Sequence, residues 1–158
     1  LAGWKVLTDC LKEGGLMKIG LYSELARQHI VEIRQEINQL GIRSTDTEMK
    51  SFRDYLVDSD KGHHKIIQNS NDFYSLSTLR DLLFHVHEHR FTIRLIKDSL
   101  NTLGLKFCGF ESDKIVPRFK QINTHPDDLY DLDKWQTYEE ANPATFAGMY
   151  QFWCQKID

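Results

Sequence analysis

The chain has little proline and little cysteine: three of each in 158 residues. Cys10, Cys108 and Cys154 are widely spaced and odd in number. That argues against a disulfide framework and fits free thiols in a reducing, cytoplasmic compartment. The sequence also lacks a charge excess of either sign. Lys and Arg total 20 against 23 Asp and Glu, a net charge of -3. A dedicated nucleic-acid binder normally shows a basic surplus, so no nucleic-acid partner is expected. No apolar run approaches the length of a membrane span, so no membrane partner is expected either. Internal repeats and low-complexity segments are absent. What remains is 41% hydrophobic and 27% charged, the composition and size of one ordinary globular domain.

The chain opens on Leu1-Ala2-Gly3-Trp4, and Trp4, Leu7 and Leu11 recur at helical spacing. A helix already under way at the first residue reads as a fragment of something longer. Gly14-Gly15 ends it. The short apolar run about 15–22 suits a buried parallel strand, with Lys18 near an end or edge. Ser23 is placed to cap the next helix, whose stripe is Ala26, Ile30, Ile33, Ile37 and Leu40, closed by Gly41. Thr45-x-x-Glu48 is a capping-box pattern opening a helix with Met49, Phe52 and Leu56 inward. Residues 58–72 read mostly as a polar loop, with a short helix around His64 to Ile67 and His63-His64 solvated. Leu79, Leu82, Leu83 and Val86 share the next helical face. Thr92 caps another helix with Ile93, Ile96, Leu100 and Leu103, ended by Gly104, and 105–110 is a second strand. After 111 the signal is helical but broken at Pro117, Pro126 and Pro143, ending in a helical face of Phe146, Met149, Tyr150 and Trp153.

The expected fold is therefore an α/β fragment, predominantly helical, with two short parallel strands joined by a right-handed crossover. The expected organisation is one partial domain over 1–158. It comprises a helix and strand (1–22), a helical insertion (23–91), a helix and strand (92–111) and a helical C-terminal extension (112–158).

The run Leu11-Lys12-Glu13-Gly14-Gly15-Leu16-Met17-Lys18-Ile19 resembles the Leu-Lys-Pro-Gly-Gly turn into strand five of class I, Rossmann-like, S-adenosylmethionine-dependent methyltransferases, with Glu13 where that pattern has proline. Gly20 to Arg27, Ser75 to Phe91, Leu105 to Glu111 and Asn142 to Trp153 narrow the resemblance to the C-terminal portion of a bacterial methyltransferase group often fused to tetratricopeptide repeats. The resemblance implies that the two strands are strands five and six of that sheet. It implies S-adenosylmethionine as cofactor of the full-length family and a methyl acceptor as substrate, which the sequence does not identify. It also implies a strand seven, antiparallel, between five and six. No clear strand seven is visible after Phe110, so either the C-terminal helices replace it or the two strands pair differently. The glycine-rich loop and acidic strand end that hold the cofactor in such folds are missing: no G-x-G-x-G stretch exists. The chain is thus expected to supply the substrate side, to bind no cofactor by itself and to be inactive alone. Self-association as a homodimer, through an exposed sheet edge or the aromatic C-terminal helix, is expected.

Candidate substrate contacts are Tyr22, Ser23 and Arg27, at the carboxyl end of the first strand and the helix start after it, where open α/β sheets bind ligands. His85, His89 and Arg90 join them as cleft residues or a general base. His85-x-x-Glu88-His89 also matches the H-x-x-E-H order of zinc hydrolases, given a third ligand such as Glu139 or Glu140. The plain alternatives are a capped helix with a surface arginine and a solvated polar face. A non-catalytic helical interaction module is the other alternative to an enzyme. The acidic run Asp127, Asp128, Asp131 and Asp133 lacks calcium-loop spacing and reads as a capped helix start, and Trp135, Tyr138, Phe146, Tyr150 and Trp153 read as core or interface.

Overall fold

A computed structural model describes residues 2–84 and 88–157. In chain order the elements are α1 (Ala2–Cys10), β1 (Leu16–Ser23), α2 (Gln28–Leu40), α3 (Asp46–Asp58), α4 (Gly62–Ile67), α5 (Leu76–Leu79), β2 (Arg90–Phe91), α6 (Ile93–Thr102), β3 (Leu105–Phe110), α7 (Ile115–Ile122), α8 (Leu132–Ala141) and β4 (Tyr150–Lys156). Short 3-10 turns cover Asn71–Phe73 and Pro126–Tyr130, and a π-helical turn spans Arg80–Phe84. The chain divides into two compact units: a sheet unit, 1–26 with 89–158, and a helical unit, 27–88.

The sheet unit carries a four-stranded mixed sheet in the order β2-β1-β4-β3. β4 runs antiparallel to both β1 and β3, so β1 and β3 are parallel to each other without touching. β2 adds two residues parallel to β1, pairing Tyr22 with Arg90 and Ser23 with Phe91. Two parallel strands alone were too few. The C-terminal segment read as a helix is instead the strand that joins them. Phe146, Met149, Tyr150 and Trp153 meet helical spacing, but the period that governs burial is two: Tyr150, Phe152 and Cys154 are buried, while Gln151 and Trp153 are exposed. The sequence YQFWCQK is rich in aromatic strand formers, and Gly148 precedes it.

One face of this sheet is buried. Ile19, Phe107, Phe110, Tyr150 and Phe152 pack with Ile93, Ile96 and Leu100 of α6, Phe119 of α7, and Leu132 and Trp135 of α8. Phe119 and Trp135 stack at 3.6 Å between centroids. α1 contributes Trp4, and Leu11 just after it packs on the same core; Thr8 is buried, whereas Leu7 points outward, 56% exposed. Leu16, Lys18, Gly20, Gln151 and Trp153 lie on the exposed face. Lys18, expected near a strand end or edge, is the third residue of β1, on the stretch where the described strands pair with β1 only through β4, and its Nζ donates to Glu111 at 2.8 Å. A bulge at Cys108 shifts the β3–β4 register between Phe107 and Gly109, and Gly109 takes φ +115°, which a side chain resists. Pro117 lies in the first turn of α7, where its missing N–H costs nothing.

The helical unit is built as its apolar stripes demand. Ile30, Ile33 and Ile37 of α2 pack with Phe52 and Leu56 of α3, Ile67, Phe73, Leu79 and Leu82. Leu40, placed on the same stripe by spacing, is exposed. Gly41 closes α2 in the left-handed region, φ +65°. Thr45 Oγ1 caps α3 by accepting from Glu48 N–H, but the Glu48 carboxylate turns to Arg43, so the reciprocal half of the capping box is absent. The short helix expected around His64 to Ile67 is present as residues 62–67, but His64 is fully buried, which corrects the solvated reading. Among the described residues, no helix is long and apolar enough to cross a membrane.

Candidate functional site

The carboxyl end of β1 is the place to look in an open α/β sheet, and it holds a buried polar cluster. Ser23, the last residue of β1, is fully buried and does not cap α2, which starts five residues on after Arg27. Its Oγ donates to Glu139 Oε1 at 2.6 Å and accepts from the Ala26 N–H at 3.0 Å. Tyr150, the first residue of β4, directs its hydroxyl at both Glu139 oxygens, 2.8 and 2.7 Å away. Glu139 comes from α8, where Leu132 and Trp135 mark the inward face; it occupies the next core position and is 2% exposed. Burial pushes the Glu139 carboxyl above its ordinary range, against the pull of the hydrogen bonds from Ser23 and Tyr150. Burial likewise raises the Tyr150 phenol. A carboxyl with a raised pKa beside a serine hydroxyl can hold a proton and pass it along that hydrogen bond.

A cleft of about 250 Å³ opens beyond the carboxyl end of β3. Glu111, Ser112 and Ile115 line one side, and Thr145, Phe146, Gly148, Met149 and Gln151 the other. Ser112 Oγ accepts from the Ile115 N–H and so starts α7. Glu111 accepts from Lys18 Nζ and from Trp153 Nε1, and those two donors hold its carboxyl below the usual range.

Tyr22 and Ser23 are adjacent at the β1 end, and Arg90 stands opposite Tyr22 in register. Arg90 Nε donates to Glu24 Oε2 at 3.0 Å. His89 is exposed. Arg27 is not a surface arginine: in the helical unit it is buried and makes a two-pronged contact with Glu88, at 2.9 and 2.8 Å, while Arg34 reaches the same carboxylate at 3.1 Å. His85 lies outside the described residues, as do Val86 and His87. Glu88 and His89 are not helical, and the Glu88 carboxylate accepts from Arg27 and Arg34. Glu139, a third-ligand candidate for that motif, is committed to Ser23 and Tyr150. Glu140 is exposed and accepts from Gln136. The buried role of Glu139 was missed. Its signal was a carboxylate at the i+7 position of the Leu132–Trp135 stripe.

β1, β2 and β3 run parallel, and none is followed by a glycine-rich loop. β1 leads into Glu24-Leu25-Ala26-Arg27, β2 into the capping Thr92, and β3 into Glu111-Ser112-Asp113-Lys114. Gly14 and Gly15 precede β1, and a Cβ on Gly20 would meet Met149 Sδ at 3.0 Å. No protein-family model matches the chain.

Proposed function

We propose that this chain is the substrate-side, C-terminal portion of a class I S-adenosylmethionine-dependent methyltransferase, and that it does not transfer methyl groups alone. The observation that carries the reading is the reversed β4 lying between the parallel β1 and β3. That is the arrangement the resemblance implies for strands five, seven and six, and it comes from a segment whose sequence reads as a helix. A second feature agrees. Along Leu16–Leu21, no described strand pairs with β1 on the side away from β4. Such an edge suits a further parallel strand from the cofactor half.

In this reading the chain's own residues shape and orient the methyl acceptor. The Glu111–Gln151 cleft receives it beside the carboxyl edge of the sheet. Tyr22 and the Arg90–Glu24 pair line the end of β1. Glu139, which accepts from Ser23 Oγ, sets a buried carboxyl close to that edge. Binding and orientation are the principal contribution of such a wall.

The test compares two proteins by titration calorimetry with S-adenosylmethionine: the 158-residue chain, and the chain extended by what its reading frame encodes upstream. Saturable binding only in the extended protein is expected. Saturable binding by the 158-residue chain, or an extension that lacks a glycine-rich strand-loop-helix and binds nothing, overturns the proposal.

A further inference from the structure

The helical unit contains a cluster that the methyltransferase reading does not use. We propose that Glu36, His63 and His64 bind one divalent transition-metal ion of the zinc class. The site is independent of the proposed function.

Glu32 and Glu36 are one turn apart on α2, and His63 and His64 open α4. Glu36 Oε1 lies 2.7 Å from His63 Nε2, and Glu36 Oε2 lies 3.0 Å from His64 Nε2. One ligand atom from each of the three residues falls within 4.8 Å of the others. A tetrahedral zinc with ligands at about 2.1 Å spaces its donors roughly 3.4 Å apart, so small side-chain shifts close the set.

The partners of His63 leave a place that a cation can take. Both nitrogens of His63 face carboxylates, Nδ1 at 3.1 Å from Glu32 Oε2 and Nε2 at 2.7 Å from Glu36 Oε1. A neutral imidazole has one N–H. With that hydrogen donated to Glu32, Nε2 turns a lone pair toward Glu36, and a cation between them satisfies both. Glu32 is then the outer carboxylate that orients a metal-bound histidine.

His64 is fully buried, and among the described residues its Nδ1 has no hydrogen-bond partner. Edge contacts to Tyr55 and His63 fix the ring, so its one engaged nitrogen is the one aimed at Glu36. Lys61 Nζ rests 3.0 Å from Glu36 Oε1 and supplies positive charge at the same oxygen. Its side chain is half-exposed and can leave when a metal ion enters. Two imidazoles and a carboxylate suit zinc, cobalt or nickel over magnesium or calcium, which prefer oxygen ligands alone. Three protein ligands also leave a coordination position for water.

The test titrates Zn²⁺ and Co²⁺ into the chain in a Cys10→Ser background, which removes the exposed thiol. Expected are one ion per chain, visible Co²⁺ d–d bands without a thiolate charge-transfer band, and a chelator-reversible rise in Tm. His63→Ala and Glu36→Gln, with folding checked by circular dichroism, should each abolish binding. Glu32→Gln should weaken it about tenfold or more. Lys61→Ala should tighten it, a response that a purely structural ion-pair cluster would not give. The proposal is overturned if Zn²⁺ produces no stoichiometric binding. It is equally overturned if binding survives in folded His63→Ala and Glu36→Gln, or disappears only with His89→Ala.

Discussion

Replacing Tyr150 with Phe removes one oxygen from the middle of the sheet unit and leaves the ring. The ring packs against Phe110 and Phe146, so the aromatic contacts persist and little cavity forms. What is lost is the hydroxyl that donates to the Glu139 carboxylate at 2.7 Å, in a place where both residues are essentially without solvent contact. A hydrogen bond to a charged group contributes roughly 1.5–3 kcal/mol, and among the described residues the remaining donor is Ser23. We expect a loss of about 2 kcal/mol near neutral pH, or a fall in Tm of roughly 4–8 °C for a chain of this size. The loss should also depend on pH with a definite sign. Burial already raises the Glu139 pKa in the folded protein above its unfolded value. Protonated Glu139 therefore favours the folded state; that contribution is fully present below the unfolded pKa and is lost as pH rises through the folded one. Removing Tyr150 takes a donor from the ionised form and raises the folded pKa further. The difference between wild type and Tyr150→Phe should then be small at pH 4 and grow toward pH 8. Urea unfolding followed by tryptophan fluorescence, with Trp135 in the same core, measures it across that range. A difference that is constant or shrinks with rising pH refutes the assignment of Glu139 as a buried, hydroxyl-held carboxyl.

Three further outcomes are expected. Glu139→Gln should lose part of the decline in stability that wild type shows as pH rises above the ordinary glutamate range, because the titrating group is gone; parallel stability–pH curves for the two proteins would contradict this. Arg27→Ala should destabilise the helical unit by about 3 kcal/mol, since it takes the two-pronged donor from the buried Glu88 carboxylate, and hydrogen exchange of α2 amides reads the effect. In thiol labelling, exposed Cys10 should react at once, while Cys154, buried and with its pKa pushed up to about 11, should react only on unfolding; prompt labelling of all three cysteines would mean β4 is not in the sheet.

Much of the architecture was legible because local rules and burial agreed. Met49, Phe52 and Leu56 face inward, Thr92 caps α6 through the Leu95 N–H, and Leu105–Phe110 is a strand. Free thiols and the aromatic core around Trp135 follow from composition and spacing in the same way. The failures have a common cause. At Tyr150–Lys156, two periodicities compete, and the partner strands that decide between them are far away in sequence. At His63 and His64, polar residues looked solvated because the carboxylates that bury them come from α2, nearly thirty positions earlier. Ser23 looked like a cap because nothing local announces Glu139, 116 residues on. At the β1 end, the partners that surround Ser23 are supplied by tertiary contact, from Glu139 and Tyr150 far along the chain.

The position of β4 has a consequence for how the protein is made. Residue 16 pairs with residue 155, and the same late segment also joins β3. A nascent chain can thus assemble the contiguous helical unit while synthesis proceeds, but the sheet must wait, with β1 and β3 unjoined, for nearly the last residues described. During that interval the apolar faces of α6 and β3 have no finished surface to cover. Any truncation or stalled product ending before Tyr150 should therefore be a substrate for chaperones and proteases rather than a smaller version of the same molecule.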